Sequence, residues 1–363
     1  MSDLVKDVEV YVVRRKLEEP IFDANLKIEW TGNVVVRIIT ESGLEGWGMT
    51  DGSPIAEYIL RRFRDVIIGS DPLASEDLWN RLYQLIRPSG RKGVALIAMS
   101  AIDIAIWDLR GKLLGLPVHM LLGGSNRRIP VYASVGFLSM PEDEVVEKAL
   151  TYVNDGITTL KIKIGYDNGS NISSDIRRVR AVRDAIGAGV EIIVDANGVY
   201  DVATAIRFAR LASSIDISLF EEPTHADNLD GLRRIRDTGL IPVASGENEY
   251  TKYGCRDMIV AEAVDVIQFD ITRVGGVTEM MKVAAITQAW NVKLAPHFFP
   301  QFSAHILSAA SNGLFLEVFP ENLSKPIIKN QPPIVNGFYE IPNMPGMGLE
   351  FDLSYVSRFK FEI

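Results

Sequence analysis

One cysteine, Cys255, stands in 363 residues, so the chain has no internal disulfide and its composition matches a reducing compartment. Long apolar runs are equally scarce. A membrane span needs roughly 18 uncharged apolar residues; the nearest stretch, Val94 to Trp107, is broken by Ser100 and Asp103. Basic clusters are missing too. Lys+Arg 38 against Asp+Glu 47 leaves a net charge of −9, which sets aside nucleic acid and anionic membranes as partners. The opening Met1-Ser-Asp-Leu-Val-Lys-Asp lacks the basic, apolar, small-residue progression of a secretory leader. No Gly-x-Gly-x-x-Gly occurs, which removes the phosphate-binding turn of a doubly wound dinucleotide fold. What is left is a soluble, cytoplasmic chain of about two domains.

The first 50 residues read as sheet. Val8 to Val13 and Asn33 to Thr40 are β-rich, and a Glu41-Ser-Gly43 turn leads into Leu44 to Gly48 as a hairpin. Phe22 to Trp30 has no clean period and reads as a loop. Helical periodicity then covers Pro54 to Val66, Ser75 to Leu85 and Ala95 to Leu114, where Gly115 is the stop. Gly123-Gly124 punctuates a boundary near residue 125. From 126 to 324, short β-branched runs alternate with amphipathic helices such as Ser173–Ile186, Val202–Ser213 and Val277–Trp290. The strands are Ile129–Ala133, Thr159–Ile164, Glu191–Asp195, Ile217–Glu221, Pro242–Ser245, Val264–Phe269, Val292–Ala295 and Leu314–Glu317. Eight strands, each followed by a helix, are the pattern of a (β/α)8 TIM barrel. The Pro- and Gly-rich tail, 325–363, is expected to return to the N-terminal domain.

Residues two apart on a strand share a face. Leu160, Ile162 and Ile164 form an outward apolar face, which turns Lys161 and Lys163 toward the barrel axis. The same phase puts Ile192, Val194, Ile267, Phe269, Val292, Leu294, Leu314 and Leu316 outward. It leaves Asp195, Gln268, Asp270, His297 and Glu317 inward. Alternation also selects Glu221 over Glu222, on the face of Ile217 and Leu219. With Glu247, successive strands end on inward charges, stepping by 26, 26, 23, 27 and 20 residues from Asp195 to Glu317. Singly, each has a structural reading: an edge-strand Lys-x-Lys, an Asx turn, a helix N-terminus, a loop carboxylate. Together, at the strand ends where barrels of this kind keep their active sites, they are too costly to be packing.

Asp195, Glu221 and Glu247 form an oxygen-only ligand set suited to Mg²⁺, with Mn²⁺ as a substitute. Zn²⁺ fits less well, because Cys255, His119, His225 and His305 lie outside the pattern. Lys163, beside the like charge of Lys161, is expected to shift toward neutral, and Asp270 is placed to orient His297. Lysine and histidine would then approach one carbon from opposite sides.

These residues resemble the enolase superfamily, and within it the mandelate-racemase subgroup. The likeness lies in Lys161-Ile-Lys163, Val-Asp195-Ala-Asn, Phe-Glu221-Glu-Pro, Ser-Gly-Glu247-Asn, Asp270, His297 and Glu317, and in the helical run Ala101–Lys112. The resemblance implies a modified barrel (126–324) under an α+β capping domain (1–125, completed by 325–363). It also implies a homo-oligomer, dimer or octamer. It further implies that Lys161 and Glu317 meet a substrate carboxylate bound to Mg²⁺, and that Lys163 or His297 removes the α-proton to give an enediolate.

Two fates follow from that intermediate: loss of a β-hydroxyl, giving a 2-keto-3-deoxy acid, or reprotonation on the other face, as in a racemase or epimerase. Polar candidates in the cap, Asp23, Asn25, Lys27, Thr50 and Asp51, with Asn197 beside the metal set, suit a polyhydroxylated substrate. The expectation is therefore a Mg²⁺-dependent sugar-acid dehydratase. A non-catalytic descendant would not need the intact acid–base set. A phosphate-binding barrel would want Gly-rich loops where this chain has Phe298-Phe-Pro-Gln and Val318-Phe-Pro-Glu.

Overall fold

The computed structural model describes residues 3–52, 54–88, 90–125, 127–319 and 327–358. Three antiparallel strands open the chain: β1 (Val5–Phe22), β2 (Lys27–Thr40) and β3 (Glu45–Asp51). The segment expected to be a loop is mostly strand. Phe22 pairs with Lys27 and Lys16 with Trp30, with a register shift between Lys16 and Ile21. This hairpin tip has no continuous buried face, Ala24 being the one buried residue between positions 14 and 32, so it carries hydrogen bonds without the alternation that marks a half-buried strand.

Four helical pieces follow: α1 (Pro54–Tyr58), a π turn (Ile59–Phe63), α2 (Arg64–Ile67) and α3 (Ser75–Ile86). Then come α4 (Val94–Leu114), closed by Gly115 in the left-handed region, and a short α5 (Val118–Leu121). α4 is buried on every side and lies directly on β3. A Cβ at Gly48 would stand 2.1 Å from the Ala101 carbonyl oxygen, and one at Gly46 2.3 Å from that of Ala105. Two glycines facing two alanines let sheet and helix meet backbone to backbone.

Eight parallel strands build the barrel: β4 (Arg128–Val135), β5 (Thr159–Lys163), β6 (Glu191–Asp195), β7 (Ile217–Glu221), β8 (Val243–Ser245), β9 (Val266–Ile267), β10 (Lys293–Leu294) and β11 (Leu316–Val318). β11 pairs with β4, and a bridge from Leu294 to Gly313 closes the ring. The intervening helices are α6 (Glu142–Asn154), α7 (Ile172–Ile186), α8 (Val202–Leu211), α9 (Leu229–Arg236), α10 (Thr251–Val260), α11 (Gly276–Ala289) and α12 (Pro300–Ala309). Among the described residues no barrel helix follows the eighth strand. The chain instead forms β12 (Ile334–Val335) and β13 (Phe338–Glu340), which extends the sheet antiparallel to the start of β4. It ends in α13 (Leu353–Arg358), which packs on β1. Of the tail expected to complete the cap, residues 325–326 and 359–363 lie outside the described residues. The described remainder divides: β13 joins the barrel sheet, whereas further on Met347 N–H donates to Asp108 at 2.8 Å and Phe351 stacks on Trp47 at 5.1 Å.

Leu160, Ile162, Ile192, Val194, Ile267, Phe269, Leu294 and Leu316 join the layer between sheet and helices, as alternation requires. Two residues depart from it. Ile217 faces the helices while Leu219 faces inward, because Ser218 is an extra residue: Ile192 pairs with Ile217 but Ile193 with Leu219. Leu314 packs with the inner cluster, because the strand begins only at Leu316.

The domain seam is polar and ordered. The two residues that break the apolar run of α4 both bond to the start of α11. Ser100 Oγ accepts from Gly275 N at 2.9 Å; Asp103 accepts from Thr278 N at 2.8 Å and from its hydroxyl at 2.6 Å. No helix of the described residues is long and apolar enough to cross a membrane.

Because nothing at Gly48 can yield except backbone, Gly48→Ala should cost roughly 3 kcal/mol, read as a fall in the denaturation midpoint. A midpoint unchanged from wild type would contradict the contact. His305 on α12 gives a second test. Its Nδ1 accepts from the His119 backbone N–H at 3.1 Å, and burial first, then the neighbouring His119, pushes it down to about 3. An unfolded histidine protonates near pH 6.5. Stability from the neutral ring is thus complete above about pH 6.5 and lost as pH falls toward 3, by roughly 5 kcal/mol at most. His305→Phe should flatten that part of the stability–pH curve; an identical slope in the variant would exclude the group.

Candidate active site

Lys163, Asp195 and Glu221 end three neighbouring strands and pair in register, so one rung of the barrel carries a cation followed by two carboxylates. Lys161 lies deeper on the same face, 1% exposed. Its Nζ is 2.6 Å from Glu221 Oε1, 2.5 Å from Glu317 Oε1 and 3.5 Å from Asp195 Oδ2. Lys163 Nζ reaches Asp195 Oδ2 at 2.5 Å and donates to Asn197 Oδ1 at 3.0 Å. Gln268 Nε2 donates to the second oxygen of Glu221 at 2.6 Å, and Phe298 N–H to Glu317 at 3.0 Å. Beyond β8 the chain turns at Gly246, φ 135°, where a Cβ would press on the Phe269 ring at 2.7 Å. Glu247 follows, with Oε2 3.3 Å from His297 Nε2. His297 Nδ1 lies 2.8 Å from Asp270 Oδ2. The other oxygen of Asp270 accepts from Thr272 N at 2.7 Å and from its hydroxyl at 2.8 Å. All eight residues read from the strand ends therefore meet in one mouth. Asn197, Glu222, Phe298 and Phe299 around it have positive φ, a conformation that side-chain-bearing residues take up at functional sites.

The charges in this mouth do not balance. Asp51, Asp195, Glu221, Glu222, Glu247, Asp270 and Glu317 face Lys161, Lys163, Arg273 and the imidazole of His297. Burial raises Glu221, and with Asp195 and Glu317 near by it is pushed up to about 8 despite Lys161. Burial, then Glu247 and Asp195, push Glu222 far up. Asp195 is held low: burial opposes its charge, but Lys163 and Lys161 together prevail. His297 loses by burial and gains more from Glu247 and Asp270, ending at about 9. Lys163 corrects the expectation of a neutral amine. Burial, the largest single influence, and Lys161 do lower it, but Asp195 together with Glu247 and Glu221 outweighs them and the net shift is upward.

The rim residues divide. Asn197 sits inside, bonded to Lys163, and Asp51 is half-buried and accepts from Asn33 at 3.2 Å. Thr50 is fully buried and donates to the Thr272 carbonyl at 3.2 Å, so it docks the cap and does not face a substrate. Asn25 is exposed; its amide donates to the Asn197 carbonyl at 2.5 Å and pins the hairpin tip. Asp23 caps that turn by accepting from Asn25 N and Leu26 N, and Lys27 pairs with Glu29 in solvent. Arg273, Thr272 and Gln268 were not singled out from sequence as site residues. Gln268 shares the inward phase of Asp270, which was the available signal.

A hard divalent cation fits this donor set. Among the described residues no three acidic, imidazole or thiol groups already converge on one point: Lys161 and Lys163 reach between Asp195 and Glu221, while Arg273 and His297 hold Glu247. The donors are nevertheless all oxygen, they come from adjacent strand ends, and they sit in an excess of buried negative charge that a divalent ion would offset.

Comparison with known proteins agrees with the geometry. Residues 6–123 match the mandelate racemase/muconate lactonizing enzyme N-terminal domain, and residues 144–355 match the enolase C-terminal domain-like model. The chain is 32% identical to a D-galactarolactone cycloisomerase of Agrobacterium fabrum, over 97% of this chain and 98% of that one. It is 31% identical to an arabinonate dehydratase of Saccharolobus solfataricus, over 87% of each. Among solved structures, a Salmonella typhimurium L-talarate/galactarate dehydratase variant liganded with Mg and L-glucarate matches with TM-score 0.93 at 28% identity, covering 100% of this chain and 93% of that one. With both domains matched across nearly its whole length, the chain belongs to the mandelate racemase/muconate lactonizing enzyme family of the enolase superfamily, an enzyme family with hydro-lyases among these relatives.

Proposed function

We propose that the protein is a Mg²⁺-dependent dehydratase of an aldonate or aldarate, which removes the α-proton and expels the β-hydroxyl to give a 2-keto-3-deoxy acid. One observation carries this reading: Lys163 and the Asp270–His297 pair approach the same carboxylate-rich mouth from well-separated strands.

Asp195, Glu221 and Glu247 would hold the ion. Mg²⁺ held there supplies a Lewis acid that polarises the substrate carboxylate and makes the α-proton more acidic. Lys161 is fixed against Glu221 and Glu317, so its charge is already in place where negative charge builds up on that carboxylate. For a substrate whose α-proton faces Lys163, the ammonium would first give its own proton to solvent, which is easier once a bound cation takes up the charge of Asp195; the neutral amine then accepts the α-proton, and protonated His297 delivers one to the leaving hydroxyl. The electron pair of the C–H bond becomes the C=C bond, the β-C–O bond breaks, water departs, and the enol tautomerises to the keto acid. With the opposite configuration His297 is the base. Asp270 then holds its Nδ1–H and keeps Nε2 toward the mouth.

A polar rim of Asn197, Asp51 and Arg273 supports a hydroxylated chain over an aryl group, as do the relatives' names: arabinonate, galactonate, xylonate and rhamnonate dehydratases. A second reading, cycloisomerisation, is favoured by the relative at 32% identity. If the β-oxygen belongs to a lactone ring, the same elimination opens the ring instead of releasing water.

A screen of C4 to C6 sugar acids and their lactones with Mg²⁺, read by a keto-acid colour reaction, tests this. One acid should give product that EDTA abolishes and that His297→Asn lowers by about 100-fold or more. Product from lactones alone would replace dehydration with cycloisomerisation. No product, but α-deuterium uptake from D₂O, would replace it with racemisation.

A further inference from the structure

Resting on that reading of the mouth, we propose that Arg273 is a positioning residue: one guanidinium ties Glu247, on the ion-binding side, to Asp270, on the acid–base side. Its Nη1 donates to the Glu247 carbonyl at 3.0 Å and lies 3.5 Å from that residue's Oε1. Its Nε stands 3.6 Å from Asp270 Oδ2, too long for a hydrogen bond but close for opposite charges. That same oxygen holds His297 Nδ1 at 2.8 Å.

The side chain is mostly covered, and Arg273 is also the leading positive influence on Asp51 at the end of β3. The preceding residue, Thr272, bonds twice to Asp270 and takes the Thr50 hydroxyl on its carbonyl. The cap therefore seats on the two residues that fix the orienting carboxylate of the dyad.

Arginine is suited to this and lysine is not. The guanidinium is always charged and offers donors in several fixed directions in one plane, whereas an ammonium is a point charge on a flexible stem. The charge and the fork act differently. The charge competes with any cation that binds Glu247. The fork, anchored by Nη1 on the Glu247 carbonyl, sets Nε and its charge beside Asp270, in the position where that carboxylate keeps a proton on His297 Nδ1 and turns Nε2 to the mouth.

The test uses the full chain with Arg273→Met and Arg273→Lys, and three measurements. Calorimetry with Mg²⁺ alone should show binding about five- to tenfold tighter in the Met variant and within about twofold of wild type in the Lys variant, because only the first removes the competing charge. Spectra of ¹⁵N-histidine protein carry four histidines, with His297 identified by its loss in His297→Asn. Recorded at about pH 10, above the value of about 9 at which His297 loses its charge, they should show the single Nδ1–H form of the neutral ring giving way to a tautomer mixture in both variants. On the acid found by the screen, kcat should fall roughly 10- to 100-fold in both variants, with KM changing less.

A residue that merely braces the fold would lower thermal stability and leave the ion affinity and the His297 tautomer alone. The inference is overturned if Mg²⁺ binding is not tightened in Arg273→Met, or if His297 keeps its wild-type signature in both variants. If Arg273→Met does not fold, the histidine spectrum of Arg273→Lys decides by the same criterion. Wild-type protein that binds no Mg²⁺ would overturn the proposed function, while the histidine spectra would still judge the link from Arg273 to Asp270.

Discussion

A lysine with 1% of its surface exposed stays charged only if carboxylates surround it, and carboxylates buried beside it depend on that same charge. Lys161 sits at this junction, within reach of Glu221, Glu317 and Asp195 from three other strands. The strand parity around it follows. Leu160 and Ile162 must fill the layer under the helices so that the lysines between them point inward. Burial, and acids that outnumber the cations, drive Glu221 and Glu222 upward, while the lysines beside Asp195, and Lys161 and His297 beside Glu317, hold those two low. Well-packed apolar residues would serve stability as well or better. The cost is what the proposed chemistry would require: fixed positive charge against a substrate acid and an oxygen site for a cation.

The cap is fastened to the barrel by polar atoms in an otherwise apolar helix. Ser100 and Asp103 on α4 satisfy backbone N–H groups at the start of α11, which would otherwise be orphaned. One turn on, Asp108 accepts from Trp47 N on β3 and Met347 N in the tail, so three distant segments share one buried carboxylate. Gly46 and Gly48 remove the side chains that would hold the sheet off this helix. The end of β3 arrives at the mouth in a fixed position as a result, and Thr50 and Asp51 meet Thr272 and Arg273 there.

The chemistry was legible in sequence because it sits where periodicity is strongest. A period of two on each strand and a near-constant spacing between strands are enough to gather Lys161, Lys163, Asp195, Glu221, Glu247, Asp270, His297 and Glu317. Readings failed where a local backbone event broke the period: the extra Ser218 in β7, the late start of β11 at Leu316, and the hairpin tip with no buried face. They failed again where two domains meet. Nothing in the composition of Thr50 or Asn25 separates a docking hydrogen bond from a substrate contact, because the partner in each case is a backbone carbonyl more than 170 positions away. Lys163 was misjudged for a similar reason. The like charge of Lys161 is adjacent in sequence, whereas the stronger opposite charge of Asp195 is adjacent only in space.

The two attachments of the cap differ in kind, and the difference bears on selectivity. At its root, α4, β3 and the tail are locked by buried bonds. At its tip, the hairpin touches the barrel through Asn25 on Asn197, Phe22 N on the Ser139 hydroxyl at 3.2 Å, and Leu138 N on the Phe22 carbonyl at 2.7 Å. Phe22, Leu26 and Trp30 on that tip remain exposed, at 39%, 61% and 44%. Relatives named for a lactone, an aldonate and an aldarate share this fold at about 30% identity. A set of charges that must stay mutually balanced tolerates few substitutions, since losing one partner strands another in low dielectric. The lightly held rim carries no such constraint, so under the proposed function it is there that selectivity among substrates would be set.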